Sequence, residues 1–409
     1  MSKDGDMLPL LHKMKGEKLA YVENDKGIHD GLTPKVHNPI ELEIGPDDTI
    51  LYDMVGAGES AEVLKEKGFT VIGGGVLNDS IELDRKAGLD FMQKHGIQIP
   101  PTEEFNNFED CAKFIEKSKT RFVFKPDNNQ DTDLTVVPDS PDQLKAMLPY
   151  LESKVDMEGD FVLQEFVDGV EMSTEAWFNG RHFILPINST MEEKRFMAGG
   201  VGPATGCAGN VVWTWDDVTS QFLYEYLFKP LEPELQRANY LGPLDINGIW
   251  NEQGIFGLEW TARFGYDAIQ AYSLLLDEPL EDVLEALRNL NEMPVRTGYQ
   301  ALAIRVSIPP YPNDGDVPEV PVLVPESVMA NTFLSDVKLN DDGLLVTAGM
   351  DGYVLCVADY ARRLPPLQSR SIAHIDKIHI PSKQYRVDIG DRVSRDRQLI
   401  EGFLQGLSS

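Results

Sequence analysis

Short apolar runs separated by one amphipathic stretch dominate the first part of the chain. Residues 18–23, 49–55 and 69–75 (KLAYVE, TILYDMV and FTVIGGG) are rich in β-branched and aromatic residues, as strands are. In residues 59–68 (ESAEVLKEKG) the apolar positions instead recur at helical spacing. An order of strand, helix and strand is typical of a parallel α/β layer. We therefore predict an N-terminal α/β domain at residues 1–78.

The next part of the chain alternates helical and strand-like patterns. Residues 84–96 (DRKAGLDFMQKHG) and 105–119 are predicted helices, and a strand follows at 121–126 (RFVFKP). Turn residues separate four further strand-like segments, at residues 135–137, 160–167, 173–180 and 182–187. This order predicts a small α+β unit with antiparallel strands, at about residues 113–187, inside a central domain of residues 79–300.

Glycine-rich and β-rich segments complete the pattern. Residues 196–210 (FMAGGVGPATGCAGN) contain too much glycine for the interior of a helix or strand, so we predict a loop there. Helical periodicity returns at residues 220–240 and 279–290. Short strand patterns then follow at residues 301–308, 320–324, 344–349 and 353–360. They predict a separate C-terminal β-rich domain at residues 301–409.

Composition argues against nucleic-acid-binding, disulfide-rich and membrane-spanning classes of protein. The chain has 409 residues, a length that favours two to four domains. Its formal charge of −30 would repel a phosphate backbone, so we expect no nucleic-acid polymer as a partner. Three widely spaced cysteines fit neither a zinc cluster nor a disulfide framework. Because we find neither a signal peptide nor an apolar stretch long enough to span a bilayer, we expect no membrane partner and a cytoplasmic location.

Several charged residues stand on or beside predicted strands. Lys125 closes a strand before a polar turn, where a solvated lysine is the alternative to a ligand-binding one. The strand end at Gln164–Val167, followed by Glu171, could hold adenine through backbone groups and ribose through a carboxylate, although a surface hairpin would look the same. Asp245 and Glu259 lie in two neighbouring apolar strands. They are a plausible pair of Mg²⁺ ligands, because Mg²⁺ prefers carboxylate oxygens shared with nucleotide phosphates.

The segment GLEWTARFG, residues 257–265, raises a further question. Glu259 lies on its apolar strand and Arg263 just past it, although an unpaired buried charge is costly. One interpretation is an edge strand with a surface salt bridge between these two residues.

The order of these residues resembles the ATP-grasp superfamily: a lysine, an adenine-type strand end with a following glutamate, then an aspartate and a glutamate on late strands. Three segments also resemble the phosphoribosylamine–glycine ligase family. Residues 192–210 are similar to its Lys-Arg and Gly-Pro-x-Thr-Gly loop. Residues 257–270 keep its Glu, Arg-Phe-Gly and Gln, and residues 377–392 (KIHIPSKQYRVDIGDR) match a family ending. Arg85 stands where the family has a helix lysine.

The resemblance implies an ATP-grasp fold, in which residues 1–78 are the parallel α/β (pre-ATP-grasp) domain and residues 113–187 a lid-like subdomain. It implies that ATP is bound by Arg85, Lys125, Gln164, Glu165, Val167 and Glu171. The implied ligands of Mg²⁺ (or Mn²⁺) are Asp245, Glu259 and Thr261. The implied catalytic residues are Lys194, Arg195 and Arg263. The residues implied for the second substrate are Gly202, Pro203, Thr205, Gly206, Arg386 and Asp388.

The activity that the resemblance implies is an ATP-dependent ligation. An amino acid, glycine or another, is joined through an acyl phosphate to an amine, including nucleotide- or phosphosugar-linked amines, with release of ADP and phosphate. The partners are then small molecules, and we expect a monomer or homodimer. Under this resemblance Glu259 faces a metal ion and Arg263 an anion.

The sequence also departs from the family. Residues 126–133 (PDNNQDTD) have three aspartates and no glycine where the family has a glycine-rich phosphate loop. Thr261 replaces a metal-binding asparagine. Carboxylates near a triphosphate repel it unless Mg²⁺ intervenes. The alternative hypothesis is therefore a non-catalytic, nucleotide-binding or structural descendant of these ligases.

Overall fold

The computed structural model describes residues 1–42, 44–45, 47–126, 134–154 and 161–407. Its strands are Ala20–Tyr21 (β1), Lys35–Val36 (β2), Thr49–Leu51 (β3), Thr70–Ile72 (β4), Thr102–Phe105 (β5), Phe122–Pro126 (β6), Phe161–Glu165 (β7), Val170–Phe178 (β8), Phe183–Met197 (β9), Val201–Thr214 (β10), Gly242–Asn251 (β11), Gly254–Thr261 (β12), Gln300–Ser307 (β13), Thr332–Leu334 (β14), Val337–Leu339 (β15), Leu345–Thr347 (β16) and Tyr353–Ala361 (β17). Its α-helices are Leu8–Lys13 (α1), Gly58–Glu66 (α2), Val76–Leu83 (α3), Arg85–Lys94 (α4), Phe108–Lys117 (α5), Pro141–Glu152 (α6), Asp217–Leu223 (α7), Glu232–Arg237 (α8), Ala268–Ser273 (α9), Leu280–Ala286 (α10), Glu326–Met329 (α11), Leu364–Lys377 (α12) and Asp391–Leu407 (α13). None of the helices in these ranges is long and apolar enough to cross a membrane.

An eight-stranded antiparallel sheet, in the order β12-β11-β8-β9-β10-β13-β17-β14, forms the centre of the molecule. Strand β8 shows how the sequence specifies its two faces. Along VEMSTEAWF, buried residues such as Met172 and Thr174 alternate with the half-buried Glu171 and Ser173. Successive side chains of a strand point to opposite faces, so this pattern gives the sheet one apolar face and one polar face at β8.

Helices cover the apolar face of this sheet. Helix α4 packs against β12, α12 against β13 and β17, and α13 against β8 and β11. The core between them includes Met172, Ile246 and Trp260 from the strands and Leu89 and Leu367 from the helices. The opposite face is apolar at β10, β13 and β17, where small residues admit α9. Polar side chains of β8, β9, β11 and β12 lie on the rest of that face.

A smaller antiparallel sheet, β5-β7-β6, packs with α5 and α6 around aromatic residues. The Phe161 ring lies 4.6 Å from the Phe108 ring and 5.0 Å from the Phe124 ring, measured between centroids. The sequence predicts a small α+β unit at about residues 113–187, whereas this sheet and its helices lie between Thr102 and Glu165. Strands β8 and β9, which the prediction placed in the same unit, belong to the large sheet instead.

The N-terminal residues form a short parallel layer. Strand β3 pairs in parallel with β4, and α2 connects them, which confirms the predicted strand, helix, strand order. The predicted first strand is not part of this layer, because β1 pairs with β2. Helix α1 packs against β14, an edge strand of the large sheet, and Nζ of Lys13 donates to the carbonyl oxygens of Met329 at 3.0 Å and Ala330 at 2.7 Å.

The structure corrects the interpretation of a separate C-terminal β-rich unit. Strand β13 pairs with β10, and β17 and β14 follow it, so these strands extend the large sheet. The predicted limit at residue 300 falls on the first residue of β13. Alternation along a strand shows that a strand exists but not which distant strand it joins, and this is why the sequence suggested a separate sheet. The domain limits themselves stay predictions.

We expect Gly88→Ala to destabilise the protein by about 1–3 kcal/mol, because overpacking forces shifts in a well-packed core. A Cβ atom at Gly88 would lie 2.4 Å from the carbonyl oxygen of Ile81 and 3.2 Å from Cδ1 of Trp260. The measurement is urea unfolding. Gly402→Ala is the control, since nothing lies within 4 Å of a Cβ there and the residue is helical, so stability should stay equal or rise by about 0.5–1 kcal/mol. Equal stabilities of the two variants would contradict the close contact of α3 with α4.

Candidate active site

The polar half of the large sheet brings together carboxylates that are far apart in the sequence. Asp245 of β11 lies opposite Thr261 of β12 on one side and Glu175 of β8 on the other. Two residues along β11, Asn247 lies opposite Glu259. Residues i and i+2 of a strand share a face, so all of these side chains point to the same side of the sheet. The predicted metal ligands therefore occupy one surface.

An ionic network centred on Lys194 occupies the same surface. Its Nζ lies 3.2 Å from Oε1 of Glu171 and 3.9 Å from Oε1 of Glu259. Nη1 of Arg85 lies 4.0 Å from Oε2 of Glu259. The side chains of Lys194, Glu171 and Glu259 are 41%, 41% and 42% exposed, so a ligand can reach them. Residues predicted for catalysis, nucleotide binding and metal binding thus meet in one network.

The charges of this network stabilise one another. Burial raises the pKa of Glu259. The positive charges of Lys194, Lys125 and Arg85 outweigh that effect and lower the pKa to about 2. Burial lowers the pKa of Lys194, but the carboxylates of Glu171 and Glu259 raise it above its ordinary value. Both Glu259 and Lys194 are therefore ionised at neutral pH.

Lys125 adds a buried cation beside the network. It lies in β6 and is 8% exposed. Burial and the nearby charge of Arg85 lower the pKa of Lys125 to about 8. Nε of Arg85 donates to the carbonyl oxygen of Pro126 at 3.1 Å, so α4 and β6 hold the two cations side by side. The acidic segment on which the phosphate-loop interpretation rests, residues 127–133, lies outside the described residues.

The predicted adenine-binding segment lies at the end of β7. Gln164 is buried, and its Nε2 donates to Oγ1 of Thr102 at 3.3 Å. The backbone N–H of Glu165 donates to the carbonyl of Pro101 at 2.8 Å, and that of the next residue donates to the carbonyl of Arg121. The backbone groups of Val167 make no hydrogen bond within the described part of the chain. Of the predicted segment, Val167 is therefore best placed to offer its backbone to a base.

Asp245 is the least well paired carboxylate on this surface. Its Oδ1 is buried and makes no hydrogen bond with the residues that the structure describes. Burial and the neighbouring Glu175 raise the pKa of Asp245 well above its usual range. A cation would remove this cost. Among the described residues no three His, Cys, Asp or Glu side chains could hold a metal ion by themselves. Asp245 and Glu259 therefore fit an Mg²⁺ that shares its coordination with phosphates and water.

Arg263 does not pair with Glu259. Its Nε donates to Oε1 of Glu82 at 2.8 Å, and its guanidinium carbon lies 5.1 Å from the centroid of the Tyr266 ring. Strand β12 is the edge strand of the large sheet, as one interpretation required. The salt bridge of that interpretation is absent, because Arg263 lies beyond the last residue of β12, where the chain leaves the sheet, and Glu259 faces Lys194.

The glycine-rich segment 196–210 contains the turn of a β-hairpin and much of its second strand, so our prediction of a loop was wrong. Strand β9 runs to Met197 and β10 begins at Val201. The pairing of the two strands is irregular between Val201 and Gly209, and such bulges accommodate glycine. Gly202 has φ of 86°, a conformation that favours glycine. Glycine lowers the propensity for a strand but does not prevent pairing with a neighbouring strand.

The hairpin carries the residues predicted to bind the second substrate. Oγ1 of Thr205 donates to the carbonyl oxygen of Lys194 at 3.0 Å, and Nη1 of Arg195 donates to that of Gly202 at 3.1 Å. These bonds hold the glycine-containing strand beside Lys194. The predicted positions that are exposed or half-buried are Gly202, Pro203, Thr205 and Gly206. Their role toward a substrate stays a prediction.

Arg386 and Asp388 hold the hairpin from outside. Arg386 is buried and forms a two-pronged ion pair with Asp388, with Nε to Oδ1 at 2.8 Å and Nη2 to Oδ2 at 2.7 Å. Its Nη1 donates to the carbonyl oxygen of Arg195 at 2.7 Å. Oδ2 of Asp388 accepts the N–H of Gly199 at 2.7 Å. The structure thus engages both residues in shaping the hairpin, and their binding of a substrate stays a prediction.

Sequence analysis missed a second charged cluster, which lies on β13 and its surroundings. Nε of Arg305 is 2.6 Å from Oδ2 of the buried Asp267, whose Oδ1 accepts the Tyr353 hydroxyl at 2.6 Å. Nη1 of Arg305 donates to the Tyr311 hydroxyl at 3.3 Å. The available signal was an arginine inside the apolar run ALAIRVSI, which is the kind of signal that singled out Glu259.

Two further carboxylates were also missed. Oε1 of Glu175 accepts hydrogen bonds from Trp177 Nε1 and Asn188 Nδ2, both at 2.9 Å. The alternation in VEMSTEAWF was a signal for Glu175, because it places this residue on the face of Glu171. No comparable signal marks Glu82, since its partner Arg263 is 181 residues away.

Comparison with known proteins agrees with this geometry. Residues 85–268 match the family model described as phosphoribosylglycinamide synthetase, ATP-grasp (A) domain. The phosphoribosylamine–glycine ligase of Clostridium acetobutylicum is 24% identical over 366 residues, covering 86% of this chain and 85% of that protein. The one of Xanthomonas axonopodis pv. citri is 26% identical over 372 residues, covering 87% and 83%. The solved structure of phosphoribosylamine–glycine ligase from Thermotoga maritima has a TM-score of 0.76 at 21% identity, covering 95% of this chain and 98% of that one.

Residues 85–268 match an ATP-grasp domain, and the chain shares the fold of a solved ATP-grasp structure. The matched residues include the small sheet β5-β7-β6 and strands β8 to β12 of the large sheet. The chain is also similar over most of its length to phosphoribosylamine–glycine ligases, which confirms the resemblance in the sequence.

We expect Arg386→Met to destabilise the protein by about 3–5 kcal/mol, because it leaves the carboxylate of Asp388 without its cation. Arg386 also pairs with Glu193, which keeps a second ion pair with Arg392. Urea unfolding measures the loss, and amide hydrogen exchange should show faster exchange at residues 195–202. Arg397→Met is the control, since its ion pair is more than half exposed and should contribute less than about 1 kcal/mol. Unchanged exchange at the hairpin would contradict the role given to Arg386.

Proposed function

We propose that the protein is an ATP-dependent carboxylate–amine ligase that forms a C–N bond through an acyl phosphate. The observation that carries this proposal is the network of Lys194, Glu259, Arg85 and Lys125 on the open face of an ATP-grasp sheet. Three cations with the carboxylates of Glu259 and Glu171 suit a triphosphate with its metal ion. The names of the relatives support a ligase over a purely structural descendant.

The nucleotide would lie between the small sheet and the large sheet. Lys125 and Arg85 would neutralise its phosphates, and Glu171 would accept the ribose hydroxyls. Val167 would bond the adenine through its backbone, next to the buried Gln164 and to Glu165. When bound, Mg²⁺ (or Mn²⁺) supplies charge neutralisation at the phosphates, and Asp245, Glu259 and Thr261 would hold it. Phosphoryl transfer needs little from a protein beyond such positioning and charge neutralisation.

The proposed reaction has two steps. A carboxylate oxygen of the amino acid attacks the γ-phosphorus of ATP, the bond from that phosphorus to the bridging oxygen breaks, and ADP leaves. The amine nitrogen then attacks the acyl carbon, the C–O bond to the phosphoryl group breaks, and phosphate leaves while the nitrogen loses a proton. Arg263 would stabilise the acyl phosphate, because its planar fork suits an anion of that shape, and Lys194 and Arg195 would assist. The exposed hairpin backbone at Gly202 and Gly206 would contact the second substrate.

The substrates are small molecules in this proposal. The amino acid is glycine or another, and the amine includes phosphoribosylamine, which the names of the relatives contain. The positions that differ from the family, such as Thr261, lie around the predicted substrates, so a changed acceptor or donor is part of the proposal. We also propose a cytoplasmic location and a monomer or homodimer.

The direct test is release of ADP by the purified protein with Mg²⁺-ATP and each of the twenty amino acids, with and without phosphoribosylamine generated in place. We expect release to require one amino acid and to fall at least about 100-fold in Glu259→Gln, because an ionised carboxylate of the metal site is lost. Glu225→Gln, an exposed glutamate paired with Lys229, is the matched control and should match the wild type. ATP binding without release under any condition would favour the non-catalytic alternative.

We further expect the affinity for Mg²⁺-ATP to fall as pH rises through about 8. The pKa of Lys125 is lowered to about 8, so above that pH the side chain loses the charge that attracts phosphate. Isothermal titration calorimetry from pH 6.5 to 9.5 measures the effect in wild type. Lys125→Met should bind at least about tenfold more weakly at pH 7 and lose this pH dependence, since one charge contact to phosphate is removed. Lys113→Met, with an exposed lysine, is the control. An identical pH profile in Lys125→Met would refute this role.

A further inference from the structure

Helix α3 holds the turn that follows β12 through three hydrogen bonds. Nδ2 of Asn78 donates to the carbonyl oxygen of Ala262 at 2.5 Å. Oε2 of Glu82 accepts the N–H of Ala262 at 2.7 Å, and Oε1 of Glu82 accepts Nε of Arg263 at 2.8 Å. Asn78 and Glu82 are four residues apart, so they lie on the same side of the helix. One side of α3 thus fixes both the backbone and the side chain at the turn.

These contacts leave the outer end of the guanidinium available. Nε of Arg263 is used by Glu82, and Nη1 has only a long bond of 3.4 Å to the carbonyl oxygen of Phe264. Nη2 makes no hydrogen bond within the ranges that the structure describes. The Tyr266 ring supports the guanidinium carbon at 5.1 Å. A planar fork that is held at one edge presents its other nitrogens to an anion.

Glu82 is more deeply buried than its partner Arg263. The side chain of Glu82 is 12% exposed and that of Arg263 is 27% exposed. Burial raises the pKa of Glu82, and the charge of Arg263 and the N–H of Ala262 act against this. Glu82 is therefore the more buried partner, and it contacts the guanidinium of Arg263 and the backbone of Ala262.

We propose that Glu82 is a positioning residue for the ligase reaction, which orients the guanidinium of Arg263 toward the acyl phosphate without contacting the substrate. The inference rests on the proposed function, since it takes Arg263 as the residue that binds this anion. It assigns a role to a residue that none of the sequence patterns indicated. A purely structural role for Glu82 is the competing explanation, because its second oxygen bonds the backbone of Ala262.

The kinetic test separates the two explanations. In Glu82→Gln one amide oxygen must serve two donors and the charge is lost. We expect kcat to fall about 100-fold, as misplacement of a reacting group by about 1 Å can produce, with KM for ATP changed less than about threefold. Asn78→Ala removes a bond from the same helix to the same Ala262 and should change kcat less than about threefold, because Arg263 keeps its partner.

If Glu82 acts through Arg263, the losses of kcat caused by substituting the two residues should not be additive. A purely structural role for Glu82 would not produce this result. In the Arg263→Ala background, Glu82→Gln should cost less than about a further twofold in kcat, since residues that act as a unit are strongly coupled. Added guanidinium chloride should partly restore turnover in Arg263→Ala but not in the double variant. A full 100-fold loss in both backgrounds, or an Asn78→Ala loss equal to that of Glu82→Gln, would overturn the proposal.

The hydrogen bond between Glu82 and Arg263 can also be tested without measuring ligase activity. The Nε–H proton of Arg263, observed by NMR in the full chain, should exchange with water at least about tenfold faster in Glu82→Gln than in wild type or Asn78→Ala, because its hydrogen bond is broken. Equal exchange in all three proteins would overturn the positioning role even if the wild type is an active ligase. Faster exchange with no ADP release by the wild type would instead refute the ligase function.

Discussion

The attraction between Glu259 and the cations around it joins four elements of the structure. Glu259 is on β12, Lys194 on β9, Lys125 on β6 and Arg85 on α4. Without the carboxylate, three cations would repel one another at close range. The small sheet and the large sheet therefore present a charged surface that is stabilised by two carboxylates, Glu259 and Glu171, which lie among the cations. A bound triphosphate with its metal ion would meet charges that are already in place.

This arrangement depends on the unequal faces of the large sheet. The apolar face is anchored by residues such as Trp260, whose Nε1 donates to the carbonyl oxygen of Gly88 at 2.9 Å. The neighbouring residues Glu259 and Thr261 must then point the other way, because successive side chains alternate. Packing on one side of β12 thus determines the direction of the charged groups on the other. The chemistry of the site follows from the placement of the core.

The sequence predicts the parts of this molecule that local pattern and residue type can specify. Charged residues at strand ends or within apolar strands, such as Lys125 and Glu259, could be identified from their positions, and their order indicated the ATP-grasp class. The hairpin at 196–210 was missed because glycine lowers the propensity for a strand, although β10 pairs there with the adjoining β9. Glu82 was missed for a different reason, since its role depends on Arg263, which is 181 residues away. The single sheet from β12 to β14 likewise depends on long-range pairing.

The hydrogen bonds that hold the hairpin join residues that are synthesised at different stages of translation. Gly199 bonds Asp388 across 189 positions, and Arg195 bonds Arg386 across 191. Strands β9 and β10 can pair as soon as both have left the ribosome, but the tip of the hairpin lacks the support of Asp388 until the chain between Thr214 and Asp388 has also been translated. An incomplete chain can therefore hold most of the large sheet without a finished hairpin. Completion of the site is tied to completion of synthesis.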